Sequence, residues 1–188
     1  MTEKSDLEKF PLEIRDKLIP DYTGDVVYEC IGCGKEFDIN QFLYTCPECK
    51  SLLRLNDRNF YSLKSIKGKT WQEIFDYRKM LNLESLKGIF LFKELLFPTI
   101  PLDDVIYLGE GHTPIVRANP DLQRIVGMDF YVKNDGLNPS ASFKDRGMAS
   151  AISYINYSIK SRDLKEVLGI CASTGDTSAA AALLKSLC

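Results

Sequence analysis

The stretch Asn138-Pro139-Ser140-Ala141-Ser142-Phe143-Lys144-Asp145-Arg146-Gly147 reads as a loop running into a helix. Pro139 keeps its predecessor out of helical geometry. Ser142, followed three residues later by Asp145, forms an N-terminal capping pattern. The helix is predicted over Phe143 to Ser161, with Met148, Ile152, Ile155 and Ile159 spaced along one face. Lys144 then falls in the first turn. The helix dipole is positive there, which makes it a poor place for a cation. A lysine that attacks a carbonyl needs its amine uncharged, and nearby Arg146 adds to the same field. The plain alternative is a solvated lysine that tolerates its position, and charge position alone favours that alternative.

Outward from this stretch the chain alternates strands and helices. Thr113-Pro114-Ile115-Val116 and Phe130 to Lys133 read as short strands, and Leu122 to Val126 as a helical turn ended by Gly127. Val167 to Ala172 is a compact apolar strand, and Thr177 to Leu187 an Ala-rich helix. Such alternation indicates an α/β unit with parallel pairing. Between that strand and helix lies Ser173-Thr174-Gly175-Asp176-Thr177-Ser178. Free amides at such a helix start bind anions such as carboxylate, and the hydroxyls add donors. Helix capping alone also explains the residue types, and Asp176 cuts against a pure anion site. Gly109-Glu110-Gly111-His112-Thr113-Pro114 is a third polar turn, holding the chain's single histidine, which reads as a structural hydrogen-bonder.

Upstream, Cys30-Ile-Gly-Cys33 and Cys46-Pro-Glu-Cys49 are two CxxC pairs with twelve residues between them. A two-residue gap lets both sulfurs of a pair converge on one ion, and two such turns build a closed tetrahedral four-cysteine site suited to a structural Zn2+. Iron in a rubredoxin-like site is the alternative, because ligand softness does not separate the two. About thirty residues bury little core, so the metal supplies folding energy. Gly32, Gly34 and Pro47 supply turns, and Val26-Val27-Tyr28 and Phe42-Leu43-Tyr44 read as strands. Residues 70 to 97 look helical, with Trp71, Ile74, Phe75 and Met80 on one stripe, until Pro98 and Pro101 break the pattern. Residues 1 to 24 are a polar lead-in with one short helix. The expected organisation is therefore a lead-in over 1–24, a zinc ribbon over 25–55, a helical connector over 56–104 and an α/β portion over 105–188.

The 188 residues are 45% hydrophobic and 27% charged, an ordinary globular mixture that excludes disorder. With 24 Lys+Arg against 26 Asp+Glu, the net charge of −2 gives no basic field for nucleic acid. The ribbon itself has few cations, Lys35, Lys50 and Arg54. The N-terminus lacks the apolar core of a signal peptide. No apolar run approaches the ~20 residues that span a bilayer. A cytoplasmic location, where thiols stay reduced, is the simplest expectation.

Taken together, GEGHTP, VKNDGLNPSASFKDRG and ICASTGDTSAA resemble the start of threonine synthase, a fold type II pyridoxal-phosphate enzyme, over roughly residues 25 to 188. The resemblance implies a partial tryptophan-synthase-β-like parallel-sheet fold behind a four-cysteine zinc ribbon. It implies that Lys144 forms the internal aldimine with pyridoxal 5′-phosphate and shuttles protons, and that Asp176 lies beside the cofactor's 3′-oxygen. Ser173, Thr174, Gly175 and Thr177 would cradle the substrate carboxylate. The implied reaction converts O-phosphohomoserine and water to threonine and phosphate, a carbon–oxygen lyase reaction on a small amino-acid phosphate. A homodimer is the candidate assembly of the full-length enzyme. Relatives often carry Asn where Asp176 stands. The family's phosphate-binding Gly-rich loop and its pyridine-nitrogen partner cannot be assigned here. The expectation is therefore a fragment of a longer enzyme, inactive alone; a natural short protein is the alternative. Other readings are a non-enzymatic zinc-ribbon binding protein with a degenerate remnant of the fold, or a dehydratase or cysteate-synthase-like enzyme.

Overall fold

A computed structural model describes residues 7–165, 167–173 and 175–186. The chain divides into two compact units. One holds the residues up to Leu83 together with Leu91–Pro101, and the other holds Glu84–Phe90 and the residues from Leu102 onward.

The first unit begins with helix α1, Leu12–Leu18, the short helix expected in the lead-in. Strands β1 (Val26–Cys30), β2 (Glu36–Asp38) and β3 (Leu53–Asp57) form an antiparallel sheet in the order β2-β1-β3. Val27 pairs with Asp38 on one side and Asn56 on the other. The strand expected at Phe42–Tyr44 does not form. Phe42 and Tyr44 are exposed, and this run belongs to the loop that brings the second cysteine pair back under the first. Helices α2 (Tyr61–Lys64), α3 (Gly68–Arg78) and α4 (Lys93–Leu96) complete the unit.

The long helix expected over 70 to 97 is broken into pieces. Helix α3 stops at Arg78, and tight 3-10 turns follow at Glu84–Leu86 and Gly88–Phe92. Ile74 is fully buried; Trp71 stacks on Phe75 with ring centroids 5.4 Å apart, and Phe92 meets Phe75 edge-to-face at 4.7 Å. Met80, by contrast, is exposed beyond the helix end. The reason is Arg78, which is wholly buried and turned inward. Its guanidinium donates to the Leu18 and Lys17 carbonyls at the end of α1 at 2.8 and 2.9 Å, to Leu91 O at 2.9 Å, and to both carboxylate oxygens of buried Glu94. Terminal helix carbonyls lack intrahelical partners, so this one side chain caps α1 and neutralises Glu94 together.

The second unit contains β4 (Ile115–Arg117), α5 (Pro120–Val126), β5 (Tyr131–Lys133), α6 (Lys144–Ser161) and α7 (Asp176–Lys185). Asn119 caps α5 by accepting from the Leu122 amide at 2.8 Å, and Gly127, at φ 77, ends it as expected. The two strands pair antiparallel, Val116 opposite Val132, and not in the parallel manner expected. The connection closes on itself: Ala118 N donates to Phe130 O at 3.0 Å before α5 begins, so α5 sits on the loop of a hairpin. The strand expected at Val167–Ala172 is likewise not formed. Leu168 and Ile170 are 84% and 85% exposed, and no strand among the described residues offers them a ladder. Helix α6 matches its expected span, and its face is covered at Ala149, Ile152 and Ser153, with Met148 and Ile159 only half-buried. Helix α7 packs along α6 through buried Ala180 and Ala181. No helix among the described residues is long and apolar enough to cross a membrane.

Candidate active-site segment and metal centre

The four cysteines of the first unit converge. Their sulfurs all lie within 4.8 Å of one another, with Cys30 to Cys49 at 3.4 Å and Cys33 to Cys46 at 3.7 Å. Four thiolates around Zn2+ at about 2.3 Å stand about 3.8 Å apart, so the set fits one tetrahedral ion. The two turns that carry them repeat one backbone design. Gly34 N donates to Cys30 O at 2.9 Å and Lys50 N to Cys46 O at 3.0 Å, and both residues adopt positive φ, 71° and 63°. The left-handed residue sits just after the second cysteine of each pair; glycine takes it freely once and Lys50 accepts it the other time. Amides of Gly32 and Cys33 point at the Cys30 sulfur at 3.3 and 3.4 Å, as thiolate stabilisation requires. A hydrogen bond from the Ser51 hydroxyl holds Cys49 down at about 6. Cys33 receives a similar lowering bond from the Lys35 amide, but local desolvation and hydrogen bonds shared with the three other thiols outweigh it and push Cys33 up to about 12. Like thiols this close cannot all ionise without a cation to share. Two of the ribbon's cations face acids, Lys35 to Glu48 at 3.1 Å and Arg54 to Glu29 at 2.7 Å, and Lys50 donates to Pro47 O at 3.3 Å.

In the second unit, Lys144 is the first residue of α6, in the turn where the sequence put it. Its side chain is exposed, and the amine lies over the Phe143 ring, 4.5 Å from the centroid. The cap differs in detail from the expected one. Ser142 Oγ accepts from the Lys144 amide at 3.3 Å, whereas Asp145 reaches back past it to Ser140. Ser140 donates both its amide, at 2.7 Å, and its hydroxyl to the Asp145 carboxylate. Ala141, at φ 59, makes this reversal possible. Arg146 does not face Lys144 as a bare charge. It donates to both oxygens of Asp135, at 2.7 and 2.8 Å, and to Thr113 Oγ1 at 3.0 Å. Those bonds hold Asp135 down at about 2.

These contacts knit two motifs that the sequence left separate. Thr113 of GEGHTP donates its hydroxyl to Asp135 at 2.8 Å, and its carbonyl accepts from Lys133. Asn138 is buried; its Oδ1 accepts from the Gly111 amide at 2.9 Å and its Nδ2 donates to Asp135 O at 2.8 Å. Glu110 is fully buried, with Oε2 accepting from Leu108 N at 2.9 Å and Oε1 unpartnered. Burial lifts its carboxyl to about 6, and the nearby Asp145 charge adds to the rise. Gly88 lies against this loop so closely that a Cβ there would meet the Glu110 carbonyl. His112 is exposed and adopts φ 48.

The Ser173–Ser178 turn opens α7 as expected. Gly175 N donates to Ser173 Oγ at 3.2 Å, and Ser178 Oγ to Ser173 O at 2.9 Å. Ser173 and Asp176 are exposed and Thr177 half-buried; Thr174 lies outside the described residues. Among the described residues none hydrogen-bonds the Lys144 amine, so Lys144 and Asp176 share a unit without a direct bond. The sequence reading missed Thr113, Asp135, Asn138 and Glu110. Several of their partners lie eleven to twenty-seven positions away and follow no period.

Residues 106–184 match the family model of the pyridoxal-phosphate-dependent enzymes. The resemblance to threonine synthase is borne out over most of the chain. Identity to the Methanocaldococcus jannaschii threonine synthase is 38% over 159 residues, covering 84% of this chain and 34% of that protein. The Methanosarcina acetivorans threonine synthase is 32% identical over 160 residues, 82% of this chain and 33% of that one. The Synechocystis threonine synthase is 48% identical over 90 residues, 45% of this chain and 22% of its own. The chain thus spans about a third of the length of the curated relatives that match it over most of its residues.

Proposed function

We propose that this chain contributes the lysine-bearing front part of a threonine synthase, converting O-phosphohomoserine and water to threonine and phosphate. The observation that carries this reading is the 38% identity to a threonine synthase over 84% of the chain, together with a lysine presented at the start of α6. Pyridoxal phosphate, when bound, supplies an electron sink that makes protons on the substrate carbons removable. The exposed Lys144 amine fits the role of cofactor-bearing residue, and its Nζ then carries protons to and from the substrate's α, β and γ carbons. Asp176 is the second cofactor-side residue. Ser173, Gly175, Thr177 and Thr174 offer amides and hydroxyls to a carboxylate at the start of α7.

The four-cysteine set binds one Zn2+ and leaves it no open position, so the metal is structural. On this reading residues 1–24 are a lead-in, 25–55 the metal module, 56–104 a connector and 105–188 the cofactor-binding portion. The pairing of Lys35 and Arg54 with acids supports a ribbon that does not grip nucleic acid. A cytoplasmic, small-molecule enzyme is the setting that agrees with all of this, and a homodimer its expected assembly.

The test grafts this chain in place of the matching third of the Methanocaldococcus jannaschii threonine synthase. The graft is assayed with O-phosphohomoserine, threonine and phosphoserine. Phosphate and threonine released from O-phosphohomoserine are the expected result. Activity confined to threonine or phosphoserine would point to a dehydratase or a β-replacement enzyme. A soluble graft that turns over none of the three would sink the enzymatic reading.

A further inference from the structure

Three consecutive residues at the start of α6 carry charge, Lys144, Asp145 and Arg146, and they are treated in opposite ways. Asp145 is 1% exposed, and its carboxylate closes a ring with the amide and hydroxyl of Ser140. Arg146 is fixed by Asp135 and Thr113. Lys144, between them, has a solvent-facing amine that no hydrogen bond among the described residues holds. A lysine side chain carries about 2 kcal/mol of rotamer entropy, so its amine is aimed only as well as its backbone is fixed. Here that backbone is fixed from both sides. Ahead of Lys144, buried Ser142 accepts from its amide, and Ala141 N donates to Asn138 O at 2.8 Å. Behind it, Asp145 ties the first helical turn to Ser140 across the left-handed Ala141. A carboxylate at this point is also favoured by the helix dipole.

We propose that Asp145 is a positioning residue for Lys144: its bond to Ser140 locks the loop–helix junction so that the lysine amine projects from a rigid first turn. This rests on the reading of Lys144 as the cofactor-bearing lysine. Asp145 itself touches no reacting atom. Its whole effect passes through the backbone of the 140–145 turn. The carboxylate's two contacts go to the same serine, so the two halves of the lock separate by mutation. Asp145→Asn keeps an oxygen for the Ser140 amide. Ser140→Ala removes only the hydroxyl donor. Asp145→Ala removes both.

The experiment uses the full chain with pyridoxal phosphate as the probe. The lysine amine condenses with the aldehyde with loss of water, and borohydride then delivers hydride to the C=N bond to leave a stable secondary amine. Pyridoxyl is mapped by peptide mass spectrometry at Lys144 and at Lys160 near the other end of the same helix, and deuterium exchange at the Ser140 amide reports the lock. In the unsubstituted chain Lys144 is expected to carry more label than Lys160, because the phosphate is drawn to the helix N-terminus. Asp145→Ala should lower the Lys144 label about tenfold relative to Lys160 and deprotect Ser140, with Asp145→Asn restoring most of both. Ser140→Ala should fall between, and it keeps the question answerable if Asp145→Ala does not fold. Deprotection of Ser140 with unchanged Lys144 labelling would overturn the positioning role. A protected Ser140 with no preference for Lys144 in the unsubstituted chain would instead overturn the cofactor-lysine reading.

Discussion

Glu110→Gln should stabilise the second unit at neutral pH and do nothing at pH 4.5. Glu110 is fully buried, and one of its oxygens has no partner among the described residues. Burial raises its carboxyl from 4.5 to about 6, and Asp145 nearby adds to this while Arg146, already committed to Asp135, offsets only part of it. Each tenfold change in proton affinity corresponds to about 1.4 kcal/mol, so the ionised form costs the fold about 2 kcal/mol. The folded chain holds this proton more tightly than the unfolded chain. Stability therefore falls as pH rises from about 4.5 to about 6, and the full penalty applies above that window. Glutamine cannot ionise and keeps the acceptor for Leu108 N. The assay is hydrogen exchange at the α6 amides, with urea unfolding alongside, at pH 4.5 and 7.5. Exchange in Glu110→Gln should be about thirtyfold slower at pH 7.5 and unchanged at pH 4.5, after correction for intrinsic rates. A variant no more stable than the parent at pH 7.5, or equally stabilised at both values, would refute the argument.

Two further outcomes concern the first unit. Arg78→Met leaves Glu94 and three carbonyls buried without their donor, and should cost about 3–5 kcal/mol by urea denaturation; adding Glu94→Leu should recover a substantial part, because the stranded charge is then gone. Metal analysis of a chelator-free preparation should give close to one zinc per chain. Cys46→Ser should abolish it and loosen residues 25–55 before the rest in hydrogen exchange.

What the sequence disclosed is what local chemistry encodes. The CxxC spacing foretold the convergence of Cys30, Cys33, Cys46 and Cys49, because two residues between ligands suffice to define a turn. The α6 period and the Gly127 stop were legible for the same reason. The pairing of β4 with β5 was not, since a strand–helix–strand order reads the same whether the link crosses over or folds back, and only the Ala118–Phe130 bond decides. Val167–Ala172 has a strand's composition, yet composition supplies no neighbouring strand. Arg78 carried no signal in the sequence; its role depends on carbonyls of Lys17 and Leu18, some sixty positions away. The same holds for Thr113, Asp135 and Arg146, whose triangle turns two motifs into one loop system. Lys144 itself was found by resemblance more than by electrostatics, since Arg146 is paired away from it.

The central claim is that Lys144 is the residue that carries the cofactor. Peptide mapping of the borohydride-reduced threonine synthase graft tests it most directly. The account expects pyridoxyl on Lys144 and loss of both label and threonine formation in Lys144→Ala. Pyridoxyl on another lysine, with Lys144→Ala still loaded and active, would contradict it.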